Sequence, residues 1–162
     1  TAPASVRSVG EAVMAADRLL ETAKAQADAQ VSERNAREKA ELMRQLGMDE
    51  GESATKASRT MIRQLEEDQK RRSKRALTDA IDRALIDLLA IYRDVLMVQV
   101  GGDGELINTD LADLVHEIAQ DSTPRQTLAR VAHIETARKR LVSNGNPLLV
   151  LEDMAISLRP QA

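Results

Sequence analysis

Between Leu77 and Val100 the chain carries apolar side chains around the full circumference of a helix. Leu77, Ile81, Leu85, Leu88, Tyr92 and Val95 recur at steps of three and four along one face, and Ile86, Leu89, Ile91, Leu96, Met97, Val98 and Val100 cover the others. A surface helix shows one apolar stripe, so a helix apolar nearly all round belongs in the middle of a bundle. It stops at Gly101, Gly102 and Gly104, glycines in three of four positions, which no helix accommodates comfortably. Tyr92 is the one aromatic residue of the 162, so the core must be packed from Leu, Ile, Val, Ala and Met. Helical bundles tolerate such a core; sandwiches and barrels rarely do. No strand signal of any length competes and no internal repeat is present.

Upstream, the opening TAPAS, residues 1–5, reads as an unanchored, flexible start. Val6, Val9, Val13, Ala16 and Leu20 then fall on one helical face. From Glu21 to Ala40 the large apolar residues almost vanish, leaving Val31 among Ala, Gln, Glu, Asp, Lys and Arg. That composition favours helix but has little to bury, which predicts an exposed arm. The segment ELMRQLGMDEGES, with Gly47 and Gly51, predicts a turn. Ser53 to Gln69 is again helix-prone with a small cluster at Met61, Ile62 and Leu65, so the two polar segments are expected to pair antiparallel as a solvated hairpin. Unbroken helix from about Thr55 to Val100 would be roughly 68 Å long. The expected organisation is a single domain over 1–162, with a charged helical arm at 21–75 and a core bundle at 76–160.

Downstream, three shorter helices carry legible punctuation. Asn108 or Thr109 is expected to cap a helix through Leu111, Leu114, Val115 and Ile118, with Asp110 and Asp113 near the positive end of its dipole. Ser122 or Thr123 caps the next, with Pro124 in the first turn. Its predicted face is Leu128, Val131, Ile134, Ala137 and Leu141, and Asn144 and Gly145 end it. Asn146 caps the last helix, Pro147 stands first in it, and Leu148, Leu149, Leu151, Met154, Ala155 and Leu158 are expected to supply its contact surface. The fold class is therefore all-α, a bundle of about five helices with a long charged helical hairpin.

Several kinds of chemistry find no support in the residues. Lys and Arg number 23 against 26 Asp and Glu, a net charge of −3 that offers no global attraction to nucleic acid or anionic lipid. Cysteine is absent, which excludes disulfides and thiolate metal sites and suits a reducing cytoplasm. No apolar run approaches the ~20 residues of a membrane span. A phosphate-cradling loop needs Gly followed by Lys, a pair that does not occur. His116 and His133 stand far from any His partner, and Glu66 with Glu67, or Glu152 with Asp153, splay apart on a helix and read as solvated surface. Neither a cofactor, a metal, a small-molecule substrate nor catalysis is expected. The sharpest local feature is KRRSKR: Lys70, Arg71, Arg72, Lys74 and Arg75 could meet a nucleic-acid backbone or an acidic partner, or simply be solvated, since acidic flanks and missing aromatics weigh against nucleic acid.

The order INTDLADLVHEIAQDSTPRQTLARVAHIETARKRLVSNGNPLLVLEDMAISL resembles the C-terminal domain of delta-prime subunits of the bacterial DNA polymerase III clamp loader. The resemblance rests on Asn108 and Asp110, Thr123 and Pro124, then Asn144, Asn146, Pro147, Leu148, Leu149 and Leu151. It covers residues 77–159, including the central helix DRALIDLLAIYRDVLMVQVG, residues 82–101. The related gamma/tau ending remains an alternative, and the long charged stretch 21–75 departs from the pattern. The resemblance implies a non-catalytic, cytoplasmic collar that packs beside other clamp-loader subunits, gamma/tau and delta, during DNA replication. It makes Asn144, Asn146, Pro147, Leu148, Leu151, Met154 and Leu158 scaffold or interface positions. An alternative of another class is a free-standing helical adaptor that recruits a partner through its charged arm.

Overall fold

The computed structural model describes residues 9–47 and 55–160. All regular structure among them is helical: α1 (Val9–Gln45), α2 (Lys56–Gln99), a 3-10 turn (Thr109–Leu111), α3 (Ala112–Asp121), α4 (Pro124–Val142) and α5 (Pro147–Ser157). The predicted start at 1–5, Val6 and the Gly51 part of the predicted turn lie outside the described residues. The amphipathic start and the polar segment behind it form one helix, α1, because nothing between Leu20 and Glu41 breaks it. The chain divides into two compact units, Ala23–Ala80 and Thr1–Thr22 with Ile81–Ala162, and α1 and α2 each contribute to both.

Within Ala23–Ala80 the two helices pair antiparallel, as expected, but the segment buries more than its lack of large apolar residues suggested. Ala27, Val31 and Ala76 form a narrow core with Leu77 packed against it. Ala thus supplies most of this core, where large apolar side chains are missing. Further along, the seam turns polar. Gln69 Nε2 donates to the Asn35 carbonyl at 2.8 Å, Arg72 donates to Asn35 Oδ1 at 3.0 Å and to both Glu38 oxygens at 3.0 and 3.1 Å, and Lys39 meets Glu66 at 3.0 Å.

The other unit is a bundle built on one face of α2; the expected burial on every side is not met, since Ile86 is 45% and Val100 62% exposed. Ile81, Leu85, Leu88, Tyr92 and Val95 are buried, as the spacing predicted, together with Val115 and Ile118 of α3, Ile134 and Leu141 of α4, and Val150, Leu151, Met154 and Leu158 of α5. Each such side chain contributes about 1.5–3 kcal/mol relative to exposure. On α1 the predicted Ala16 and Leu20 are buried and Val13 is half-buried, but Val9 is exposed, and Ala12 and Ala15, absent from the predicted face, are buried. Ala15, Ala16 and Leu19 border a small apolar gap against Leu151, Met154, Ala155 and Leu158, so α1 lies against α5 through small residues.

Both long helix ends in this unit are closed by the same device. Gly101 takes φ +68°, its N–H bonds the Val98 carbonyl at 3.2 Å, and the Gly102 N–H bonds the Met97 carbonyl at 3.0 Å. At the end of α4 the left-handed residue is Asn144 (φ +62°), with Asn144 N–H to Leu141 O at 3.2 Å and Gly145 N–H to Arg140 O at 2.8 Å. These 5→2 and 6→1 pairs satisfy carbonyls that a helix end leaves unpaired.

Candidate functional site

The carboxy-terminal pair α4–α5 carries most of the positions singled out from sequence, and local hydrogen bonds fix its geometry. Thr123 Oγ1 accepts the Gln126 N–H at 3.2 Å while Gln126 Oε1 accepts the Thr123 N–H at 3.0 Å, a reciprocal cap with Pro124 in the first turn. Four residues after α4 ends, Asn146 Oδ1 accepts the Leu149 N–H at 3.2 Å and Pro147 opens α5. Between them Gly145 has no room for a side chain: a Cβ there would lie 2.8 Å from the Arg140 carbonyl oxygen and 2.9 Å from Val150 Cγ2. The turn is tight because backbone meets backbone.

Of the apolar positions, Leu151, Met154 and Leu158 are buried within the chain and Leu148 is half-buried, while Asn144 and Asn146 are exposed. The predicted contact surface of α5 needs one correction. Leu149 is 63% exposed, and Val150, absent from the predicted face, is buried in its stead. On α4 Leu128 is likewise 55% exposed, because the inward stripe runs Thr127, Arg130, Ile134, Ala137 and Leu141. With Val142 at 77%, these side chains leave apolar surface at α4 and α5 that the bundle does not cover.

Asn108 does not act as the expected side-chain cap: neither it nor Thr109 caps a helix by a side-chain bond, and a 3-10 turn intervenes before α3. Its amide serves Asp94, a residue the apolar run around it had concealed. The Asp94 carboxylate, fully buried, accepts the Ile107 N–H at 2.9 Å, the Asn108 N–H at 2.8 Å, Asn108 Nδ2 at 3.0 Å and Arg93 Nη1 at 2.9 Å. Burial pushes its pKa up, but the two backbone N–H groups, Arg93 and the Asn108 amide together outweigh that and hold it below the ordinary Asp value. Gln99 plays a similar part nearer the α3–α4 junction, donating to the Ser122 carbonyl at 2.9 Å and accepting from the buried Thr127 hydroxyl at 2.8 Å. A polar residue inside an apolar helical run was the one sequence signal available for both.

The basic run does not act as five free charges. Arg71 pairs with Asp68 at 2.7 Å, and Arg72, half-buried, is bound by Glu38 and Asn35 across the hairpin. Arg72 and then Arg34 lower the Glu38 pKa by hydrogen bonding. Lys70, Lys74 and Arg75 remain exposed. His116 Nδ1 lies 2.7 Å from the Ala112 carbonyl on its own helix, and His133 is exposed on α4. Among the described residues no group of three His, Asp or Glu converges as a metal set would, and no helix is long and apolar enough to cross a membrane.

The family model described as "DNA polymerase III, delta subunit, C terminal" matches residues 54–159. The DNA polymerase III subunit delta' of Bacillus subtilis (strain 168) is 36% identical over 72 residues, which cover 44% of this chain and 22% of that protein. The aligned stretch thus corresponds to less than a quarter of that relative's length. No solved structure matches. The matched span contains α2 through α5 with the Thr123, Asn144 and Asn146 punctuation on which the resemblance rested, and the chain belongs to the family of carboxy-terminal domains of DNA polymerase III delta-type subunits, as a delta-prime carboxy-terminal domain.

Proposed function

We propose that this chain is a non-catalytic collar: an oligomerisation domain that packs beside other clamp-loader subunits, gamma/tau and delta, and so helps hold together the machine that places the sliding clamp on DNA in the cytoplasm. The observation that carries the reading is the family match over residues 54–159. The apolar surface at Leu128, Val142 and Leu149 supports it, since these side chains lie outside a core that is already filled and suit a protein partner. In this reading Asn144, Asn146, Pro147, Leu148, Leu151, Met154 and Leu158 are chiefly scaffold that sets the angle between α4 and α5.

Mixing the purified chain with the collar domains of gamma/tau and delta, followed by size-exclusion chromatography and analytical ultracentrifugation, tests it. A complex is expected, weakened when Leu149 and Val142 become Asp. Absence of any complex at tens of micromolar would remove the collar reading. A second reading, recruitment of an acidic partner or DNA by the hairpin, is favoured only by the exposure of Lys70, Lys74 and Arg75. Retained binding of primed DNA when all three are Ala would dismiss it.

A further inference from the structure

One cleft in the bundle unit is lined by arginine charge that no carboxylate among the described residues compensates. Arg125, Arg130 and His133 of α4 and Arg159 just past α5 line it, with Ala129 and Ser157 between, around a volume of about 310 Å³. Elsewhere on α4 both other arginines are paired, Arg138 with Asp82 at 2.7 Å and Arg140 with Asp153 at 2.6 Å. Among the described residues no carboxylate pairs with Arg125, Arg130 or Arg159.

Arg130 is the decisive one. Only 8% of it is exposed, and its guanidinium sits 6.0 Å from the centroid of the Tyr92 ring, which supports one face. Stacking leaves the N–H donors at its edge unused, since no hydrogen bond joins them to the described residues, and the cleft is where they emerge. Most of the Arg130 side chain is buried, yet none of its unbonded nitrogens is enclosed, so they meet solvent in the cleft, and no carboxylate among the described residues answers the charge. A planar fork of donors fits a two-oxygen acceptor in bidentate fashion.

From these features we infer that the cleft is a receptor for an acidic side chain, Asp or Glu, presented by a partner protein. A nucleic-acid backbone is disfavoured on two grounds. The unit that holds the cleft has ten Lys and Arg against fifteen Asp and Glu, so its wider field repels a polyanion. The cleft also offers no aromatic face to a base, since Arg130 covers the one aromatic ring. A single carboxylate entering a concave site avoids both difficulties. The inference does not depend on the collar reading, because any protein with a protruding acidic residue could supply the group.

The test uses the isotopically labelled chain and follows the arginine Nε–Hε resonances by NMR during titration with a capped Gly-Glu-Gly-Glu-Gly peptide. Saturable shifts confined to Arg125, Arg130 and Arg159 are expected, with a dissociation constant on the order of 1 mM for so short a probe. The matching Gln peptide should give none. Arg125→Gln with Arg159→Gln, both outside the core, should weaken binding about tenfold, and Arg130→Lys, which keeps the charge but loses the fork, by a similar factor. No saturable shift at 10 mM peptide, equal shifts with the Gln peptide, or tighter binding of a twelve-residue oligothymidylate to the same resonances would each overturn the proposal.

Discussion

Replacing Asp94 by Ala is the most informative single perturbation of the bundle. The carboxylate joins α2 to the loop before α3 through the Ile107 N–H, the Asn108 N–H and the Asn108 amide, and it also receives Arg93. A hydrogen bond to a charged group contributes about 1.5–3 kcal/mol when buried. Arg93 is about half exposed, so its pairing adds little, on the order of 0–1 kcal/mol. Ile107 is largely exposed and Asn108 half-buried, so their donors regain water when the carboxylate goes, which reduces the loss. The net cost for Asp94→Ala is therefore about 2–4 kcal/mol at pH 7. The pH dependence gives an independent check. The folded-state pKa is depressed, so the contribution is fully present above the unfolded Asp value near ~3.9 and is lost as pH falls through the folded value. Urea unfolding followed by circular dichroism should show the gap between wild type and variant wide at pH 7 and narrowing below about pH 4. A gap under about 0.5 kcal/mol at neutral pH, or one that does not shrink on acidification, would refute the reasoning.

Further outcomes follow from the same geometry. Gly145→Ala should destabilise by more than about 1 kcal/mol in thermal unfolding, since its Cβ meets the Arg140 carbonyl, whereas Asn144→Gly at φ +62° should be neutral or slightly stabilising. Thr123→Ala removes the reciprocal cap of α4 and should cost about 0.5–2 kcal/mol by urea denaturation. Leu151→Ala should cost about 2–5 kcal/mol while Leu149→Ala stays within about 0.5 kcal/mol, a contrast that stability curves of the two variants will show or deny. Arg72→Ala should loosen the hairpin locally and raise amide exchange around Asn35 and Glu38, while exchange at Leu151 stays unchanged.

The punctuation of the helices was legible in the sequence to within a residue or two. Thr123, Pro124, Asn144, Asn146, Pro147 and Gly101 each act on backbone groups within about five residues, so their partners are present in the local string. The choice of inward face on α2 was also legible, because Ile81, Leu85, Leu88, Tyr92 and Val95 repeat over four turns. Where α5 opens with Leu148, Leu149, Val150 and Leu151 in succession, apolar character covers every direction and periodicity carries no choice. Packing against α1 and α4 made that choice, turning Val150 in and Leu149 out. The Ala stripe of α1 was unreadable for a related reason: Ala is a good helix former anywhere, and it becomes a core residue only where a second helix approaches closely enough to cover it.

Sequence alone thus determined that this chain is helical, where α4 and α5 begin, where α2 and α4 end, and which face of α2 turns inward. Tertiary structure decided that Asp94 and Arg130 are buried, that Asn108 serves a carboxylate in place of a helix end, and that two of the five residues in the basic run are already neutralised. Capping is settled by atoms a few bonds away along the chain, whereas the worth of a charge depends on which groups distant in sequence exclude water from it or answer it.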